Sequence, residues 1–203
     1  LQFAHDQGIV HRDIKPENIF CLSEEPAEGK AVLRLLDFGA SRLMGEKQRL
    51  TKENAVVGTM YYVAPEALER GATPDHRVDI YALGLVLWES LVGFHPFDPD
   101  GEGVPPQRMA YLQGTQAVPN VQDFRSDVPP RFAEVLRRMV EKHPSKRFAT
   151  MQDVYDELWA VLSQLKYDAE RAGRPLRSIF TRAGVELPSP EIAAPSRRRG
   201  STP

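Results

Sequence analysis

Residues 79–92 read DIYALGLVLWESLV, and this stretch limits the fold more than any other part of the chain. Charge falls only at Asp79 and Glu89. A helix of this composition has no polar face to present to water, so other elements must enclose it. The longest uninterrupted apolar run, residues 80–88, is nine residues long, against the roughly 18–20 that a membrane-crossing helix needs. The stretch therefore predicts a buried central helix, the spine of a water-facing fold.

What surrounds the spine is also mostly helical. Pro129-Pro130 opens a helix with Phe132, Leu136, Met139 and Val140 on one face. Thr150-Met151-Gln152-Asp153 has the form of a capping box, and launches a second amphipathic helix through Val154, Leu158, Val161, Leu162 and Leu165. Earlier, Ile19–Leu22 and residues 32–36 are short apolar runs parted by a polar stretch with Pro26 and Gly29, which predicts a two-stranded hairpin with a long loop. The expected class is mainly α, with one small β-hairpin near the start.

Of the 203 residues, 41% are hydrophobic, enough for a real core. Residues 166–203 hold eight Lys/Arg against four Asp/Glu, a net of +4; the chain as a whole carries −2, so residues 1–165 carry −6. The basic end also holds Pro175, Pro188, Pro190, Pro195 and Pro203, and is expected to be a tail, disordered from about residue 182. An acidic body, and a basic tail without interleaved aromatics, argue against a nucleic-acid-binding domain. The single Cys excludes an internal disulfide and fits a reducing compartment. There is no signal-peptide pattern. The first residue is Leu1, not Met, so the chain is expected to be a processed or truncated piece.

Three motifs stand in order: His11-Arg12-Asp13-Ile14-Lys15-Pro16-Glu17-Asn18, then Asp37-Phe38-Gly39, then Gly58-Thr59-Met60-Tyr61-Tyr62-Val63-Ala64-Pro65-Glu66. Together they resemble the signatures of the protein kinase family. The resemblance runs from residue 1 to about 165. Residues 1–10 resemble the end of the helix leading into the catalytic loop, Asp79-Ile80-Tyr81-Ala82-Leu83-Gly84 the family's central buried helix, and Pro144-Ser145-Lys146-Arg147 its late Arg motif. The implied fold is a kinase-like large lobe.

The resemblance implies ATP and Mg²⁺ as cofactors, and Ser- or Thr-bearing proteins as substrates. Asp13 would accept the substrate hydroxyl's proton, and Lys15 would offset charge on the transferring group. Asn18 and Asp37 are hard oxygen donors suited to Mg²⁺ on the nucleotide phosphates, and Phe20 would meet the adenine. Arg12 is a planar fork suited to a phosphorylated loop residue, while Gly39 lets the chain turn behind Asp37. In the family, the residue at Asp79 hydrogen-bonds the catalytic-loop backbone, Glu66 and Arg147 form a buried ion pair, and His11 and Phe38 pack as an internal stack. Lys15 and Thr59 resemble the serine/threonine branch, and the 61–66 wording resembles the bacterial kinases within it.

Residues 37–66 correspond to the activation segment, with hydroxyls at Ser41, Thr51 and Thr59. Thr51, mid-loop among polar residues, is the expected regulatory phosphosite. Thr59 is expected to be a structural partner of Asp13 and Lys15, and Glu53 a partial mimic of a second phosphate.

Other eye-catching residues have plainer readings. Cys21 lies in a strand-like run and is expected to be a small buried hydrophobe. His5 and His76 lack metal-ligand spacing, and His95 and His143, in loops beside Pro, are expected to be structural. Trp88 and Trp159 are expected to be packing residues. Arg197, Arg198 and Arg199 read as a solvated tail, or as a basic stretch before a membrane helix.

No G-x-G-x-x-G precedes His11, and only ten residues stand before it. The family's small lobe supplies that glycine-rich loop, a strand Lys and a helix Glu. The expectation is a large lobe alone, domain 1–165 with tail 166–203, and an apolar face left exposed. If the absent parts supply about 4 kcal/mol of positioning, their loss slows transfer about a thousandfold, so this chain by itself is expected to lack useful activity. The rival expectation is a kinase-like binding module without catalysis. Either is expected in the cytoplasm, or as the cytoplasmic domain of a membrane-anchored kinase.

Overall fold

The computed structural model describes residues 1–22, 32–38, 42–43 and 57–173. Helix α1 (Gln2–Asp6) is followed by strand β1 (Ile9–Val10), a 3₁₀ turn at Pro16–Asn18, and strands β2 (Ile19–Leu22), β3 (Val32–Leu35) and β4 (Arg42–Leu43). Two 3₁₀ segments, Val57–Tyr62 and Pro65–Leu68, lead into α2 (Arg77–Val92), α3 (Pro106–Thr115), α4 (Pro130–Met139) and α5 (Met151–Arg171).

Helix α2 is the spine that its composition requires. Ile80 and Trp88 join the largest core cluster, with Val121, Leu136, Met139, Phe148 and Val154. Val78, Tyr81 and Leu85 pack with Val10, Ala64 and Val140, and Ala82 and Val86 with Ile14. One helix thus feeds three apolar clusters, which is why it carries no polar stripe. Gly84 is the close-approach point: a Cβ there would lie 2.8 Å from Val140 Cγ1 and 2.9 Å from Met139 Cβ, at the end of α4. Gly93, at φ 95°, ends α2 in the left-handed conformation and donates its N–H to the Glu89 carbonyl.

The flanking elements form where their sequence signals fall. Pro130 occupies the first turn of α4. At the start of α5 both capping-box bonds are made: Asp153 N–H donates to Thr150 Oγ1 at 3.1 Å, and Thr150 N–H to Asp153 Oδ2 at 2.9 Å. Helix α5 continues to Arg171, past the 165 boundary at which its apolar stripe ends, and Ala169 is still buried. The hairpin pairs β2 with β3 antiparallel, Ile19 opposite Leu35 and Leu22 opposite Val32.

The start of the chain departs from expectation. Residues 1–10 do not form one helix: α1 stops at Asp6, the chain turns through Gly8 at φ 74°, and β1 pairs antiparallel with β4, Ile9 opposite Leu43. Trp159 packs on the helix surface, half-exposed and stacked on Tyr155 with ring centroids 6.1 Å apart, whereas Trp88 is buried. Among the described residues no helix is long and apolar enough to cross a membrane.

Candidate active site

The loop carrying His11, Arg12 and Asp13 is held from below by the first charge of the spine. Asp79 is fully buried on α2 and accepts three bonds: Arg12 N–H on Oδ1 at 2.8 Å, His11 N–H on Oδ2 at 2.9 Å, and the His5 ring nitrogen Nε2 on Oδ2 at 2.8 Å. The expected link from Asp79 to the loop backbone is present. His5 is an addition that no local signal in the sequence marks, since its partner lies 74 residues away. Arg12 adopts φ 65°, the left-handed region that non-glycine residues avoid, so the Asp79 bonds hold a strained turn in place.

His11 is fixed by both ring nitrogens. Nδ1 accepts the Asp13 N–H at 3.3 Å, so Nε2 bears the proton that it donates to the Leu36 carbonyl at 3.2 Å. The His11 and Phe38 rings meet edge-on at 4.6 Å. The expected contact is there, with Phe38 still 45% exposed.

Asp13 is built into a compact polar cluster. Its Oδ2 lies 3.0 Å from Lys15 Nζ and accepts Asn18 Nδ2–H at 3.0 Å; the same amide donates to the Asp13 carbonyl at 2.7 Å. Among the described residues both side-chain contacts fall on Oδ2, which leaves Oδ1 as the oxygen to take a proton. Asn18 is anchored through its nitrogen, leaving its oxygen as a donor for a cation. The Asn18 carbonyl accepts the Leu36 N–H at 2.8 Å, bringing the Asp37 turn beside this cluster. Asp37 is exposed and has φ 61°, a second strained non-glycine position. An amide oxygen and a carboxylate are a hard donor pair, and fit Mg²⁺ completed by phosphates and water. Among the described residues no three His, Cys, Asp or Glu gather to hold a metal by themselves.

Arg147 is 3% exposed and uses all five N–H groups. Nη1 and Nη2 meet Glu66 Oε1 and Oε2 at 2.6 and 2.8 Å. Nε donates to the Glu141 carbonyl, Nη1 also to Arg77 and Nη2 to Lys142. The expected Glu66–Arg147 pair is thus a bidentate bridge between the Pro65–Leu68 turn and the segment before α5.

Glu89, the second charge of the spine, accepts the Tyr62 hydroxyl at 2.6 Å, and burial beside this carboxylate pushes that phenol well above its ordinary pKa. His95 is structural as expected: its Nδ1 accepts the Phe97 N–H, its Nε2 donates to the Tyr61 carbonyl at 2.9 Å, and burial pulls its pKa down to about 4. Met60, Tyr62, Val63 and Ala64 share with Arg12 and Asp13 the walls of a cavity of about 180 Å³. Within this wall Arg12 Nε is buried, and has no hydrogen-bond partner among the described residues.

Phe20 is half-exposed on the hairpin, opposite Arg34. Gly39, Ser41, Thr51 and Glu53 lie outside the described residues, as do the side chains of Cys21 and Thr59.

Residues 1–160 match the family model for the protein kinase domain, and the chain belongs to the protein kinase family. The relatives it resembles are bacterial serine/threonine kinases. It is 34% identical over 176 residues to a probable serine/threonine-protein kinase of Clostridium acetobutylicum, covering 86% of this chain and 25% of that protein. It is 32% identical over 213 residues to serine/threonine-protein kinase PknB of Mycolicibacterium smegmatis, covering 100% of this chain and 32% of that protein. It is 37% identical over 200 residues to serine/threonine-protein kinase PknE of Mycobacterium tuberculosis, covering 98% and 32% respectively. The chain spans between a quarter and a third of the length of these relatives.

Proposed function

We propose that the protein containing this chain transfers the γ-phosphate of ATP to serine or threonine hydroxyls of protein substrates. The observation that carries this reading is the Asp13 cluster, with Lys15 and Asn18 both on Oδ2 and the backbone tied down by Asp79. Oδ1 of Asp13 accepts the substrate hydroxyl's proton and aims that oxygen at the phosphorus. Lys15 holds positive charge beside the transferring group. Asn18 and Asp37 hold Mg²⁺, which neutralises phosphate charge when bound. Phe20 offers an exposed ring to the adenine.

Arg12 is the docking fork for a phosphorylated activation residue, with Thr51 as the candidate; its buried Nε, without a partner among the described residues, supports that role. Thr59 braces Asp13 and Lys15. Residues 1–165 constitute the large lobe and 166–203 a basic tail. Half-exposed Phe20, Leu36 and Phe38 are the face that a small lobe would cover. The single Cys and the demand for ATP are consistent with work in the cytoplasm.

The test is phosphotransfer from labelled ATP to a Ser/Thr peptide by the full-length protein. Asp13→Asn should lower kcat about 10²–10⁴-fold, the usual contribution of a positioned base, with the fold intact by circular dichroism. Equal rates for the two proteins would refute the role given to Asp13, and a wild-type protein that binds ATP without transferring phosphate would establish a binding module instead.

A further inference from the structure

Gln113 is a fully buried amide on α3, a helix whose only other buried residue is Met109. Burying an amide is unfavourable unless both of its ends are bonded, and both are. Tyr81, fully buried on α2, donates its hydroxyl hydrogen to Gln113 Oε1 at 2.5 Å, and Gln113 Nε2 donates to the Tyr61 carbonyl. On the other side, Lys142 Nζ donates to the Tyr81 hydroxyl at 2.8 Å, and sits over the Tyr81 and Phe97 rings at 5.3 and 4.9 Å. Every bond points the same way: ammonium to phenol, phenol to amide, amide to carbonyl. Such a chain polarises its members in concert.

The relay ends on the wall of the site. Tyr61 lies in the Val57–Tyr62 segment, and its neighbours Met60, Tyr62 and Val63 line the cavity that Asp13 also lines. His95 reinforces the same carbonyl at 2.9 Å. The Tyr61 hydroxyl donates to Asp98 at 2.9 Å and accepts the Val104 N–H at 2.7 Å.

We propose that the buried chain Lys142–Tyr81–Gln113 is a positioning device: it holds the Val57–Tyr62 segment in register with Asp13, and so sets affinity for the peptide substrate. The second half rests on the kinase reading above; the first does not. Burial and the neighbouring Arg147 lower the Lys142 amine to about 8, which still leaves it mostly protonated, and so a donor, at neutral pH. None of the three residues touches the proposed nucleotide side, so ATP binding should be indifferent to them.

Two measurements on the full-length protein test this, one of them independent of activity. Gln113→Leu keeps the volume and removes both bonds. It should raise amide exchange across residues 57–62 roughly tenfold, the effect of losing one buried hydrogen bond, while exchange in α4 and α5 stays put. It should raise the peptide KM by a similar factor, and leave the ATP KM within about twofold. Lys142→Met keeps the aliphatic stem and should act in the same direction, more weakly; where Gln113→Leu fails to fold, Lys142→Met carries the test. In the double variant the Lys142 effect should vanish, because its path is already cut.

Exchange that rises evenly across the domain, or a lowered melting point with the peptide KM unmoved, would make Gln113 a core filler and overturn the proposal. Additive single effects would overturn the relay. A wild-type protein without phosphotransfer would remove the kinase reading, and the exchange result would still decide whether the relay holds the segment.

Discussion

Removing Glu66 should destabilise this fold far more than removing a carboxylate from an equally short ion pair on the surface. The Glu66–Arg147 pair closes at 2.6 Å, and the Glu134–Arg137 pair on α4 at 2.7 Å. Distance therefore does not separate them; burial does. The Arg147 side chain is fully buried, whereas Glu134 and Arg137 are both more than half exposed. In Glu66→Ala the Arg147 guanidinium keeps its three backbone carbonyls, but its charge is left without a counter-charge in the interior. Such losses cost about 3–5 kcal/mol, and at about 2–4 °C per kcal/mol for a domain of this size the midpoint should fall by roughly 6–20 °C. Glu134→Ala should cost under about 1 kcal/mol. Thermal unfolding of the two variants beside wild type is the assay, and Glu66→Ala/Arg147→Met should recover part of the loss by removing the stranded charge. A midpoint for Glu66→Ala within 2–3 °C of that for Glu134→Ala would refute the claim that burial decides.

Two further outcomes follow from the packing. His95 has a folded pKa of about 4 against an ordinary value near 6.5, so the fold favours its neutral form. Its contribution is complete above about pH 6.5 and is lost as pH falls toward 4, where the unfolded chain takes up a proton that the folded one refuses; the loss is about 3 kcal/mol. Denaturant titrations between pH 7 and 4 should show that slope, and His95→Gln, which can still donate to the Tyr61 carbonyl, should flatten it. Gly84→Ala gains about 1 kcal/mol of helix propensity but drives a Cβ into Met139 Cβ and Val140, an overpacking cost of about 1–3 kcal/mol. The net should be a lower melting point, and a stabilised variant would show that α4 yields freely.

The spine, the hairpin, α4 and the capped start of α5 were legible because each rests on a local rule: an all-round apolar stretch, paired strand-like runs, a proline at the first turn, a capping box. The Asp13, Lys15 and Asn18 cluster was legible as well, since an eight-residue loop brings its members together. What could not be read depends on partners far along the chain. Strands β1 and β4 are two residues each and exist only because they pair across more than 30 positions. Helix α3 offers Met109 and Gln113 as its buried residues, too little apolar periodicity to announce a helix. His5 acquires its role from Asp79, and the half-exposed stack of Trp159 on Tyr155 is not announced by an amphipathic pattern.

The polar positions of α2 show how fold and site share one helix. Its apolar residues build three clusters, and its polar ones are each spoken for. Asp79 holds the His11–Arg12 turn, Tyr81 bonds Gln113, Glu89 takes the Tyr62 hydroxyl, Trp88 Nε1 donates to the Pro119 carbonyl, and Ser90 closes back on Val86. Three of these five reach the loop of Asp13 or the wall facing it, directly or through one residue. A change of sequence in the spine that kept it buried and apolar would keep the clusters. It would still release the Asp13 loop and the wall opposite it, so Asp79, Tyr81 and Glu89 are the positions where stability and the proposed activity should part company.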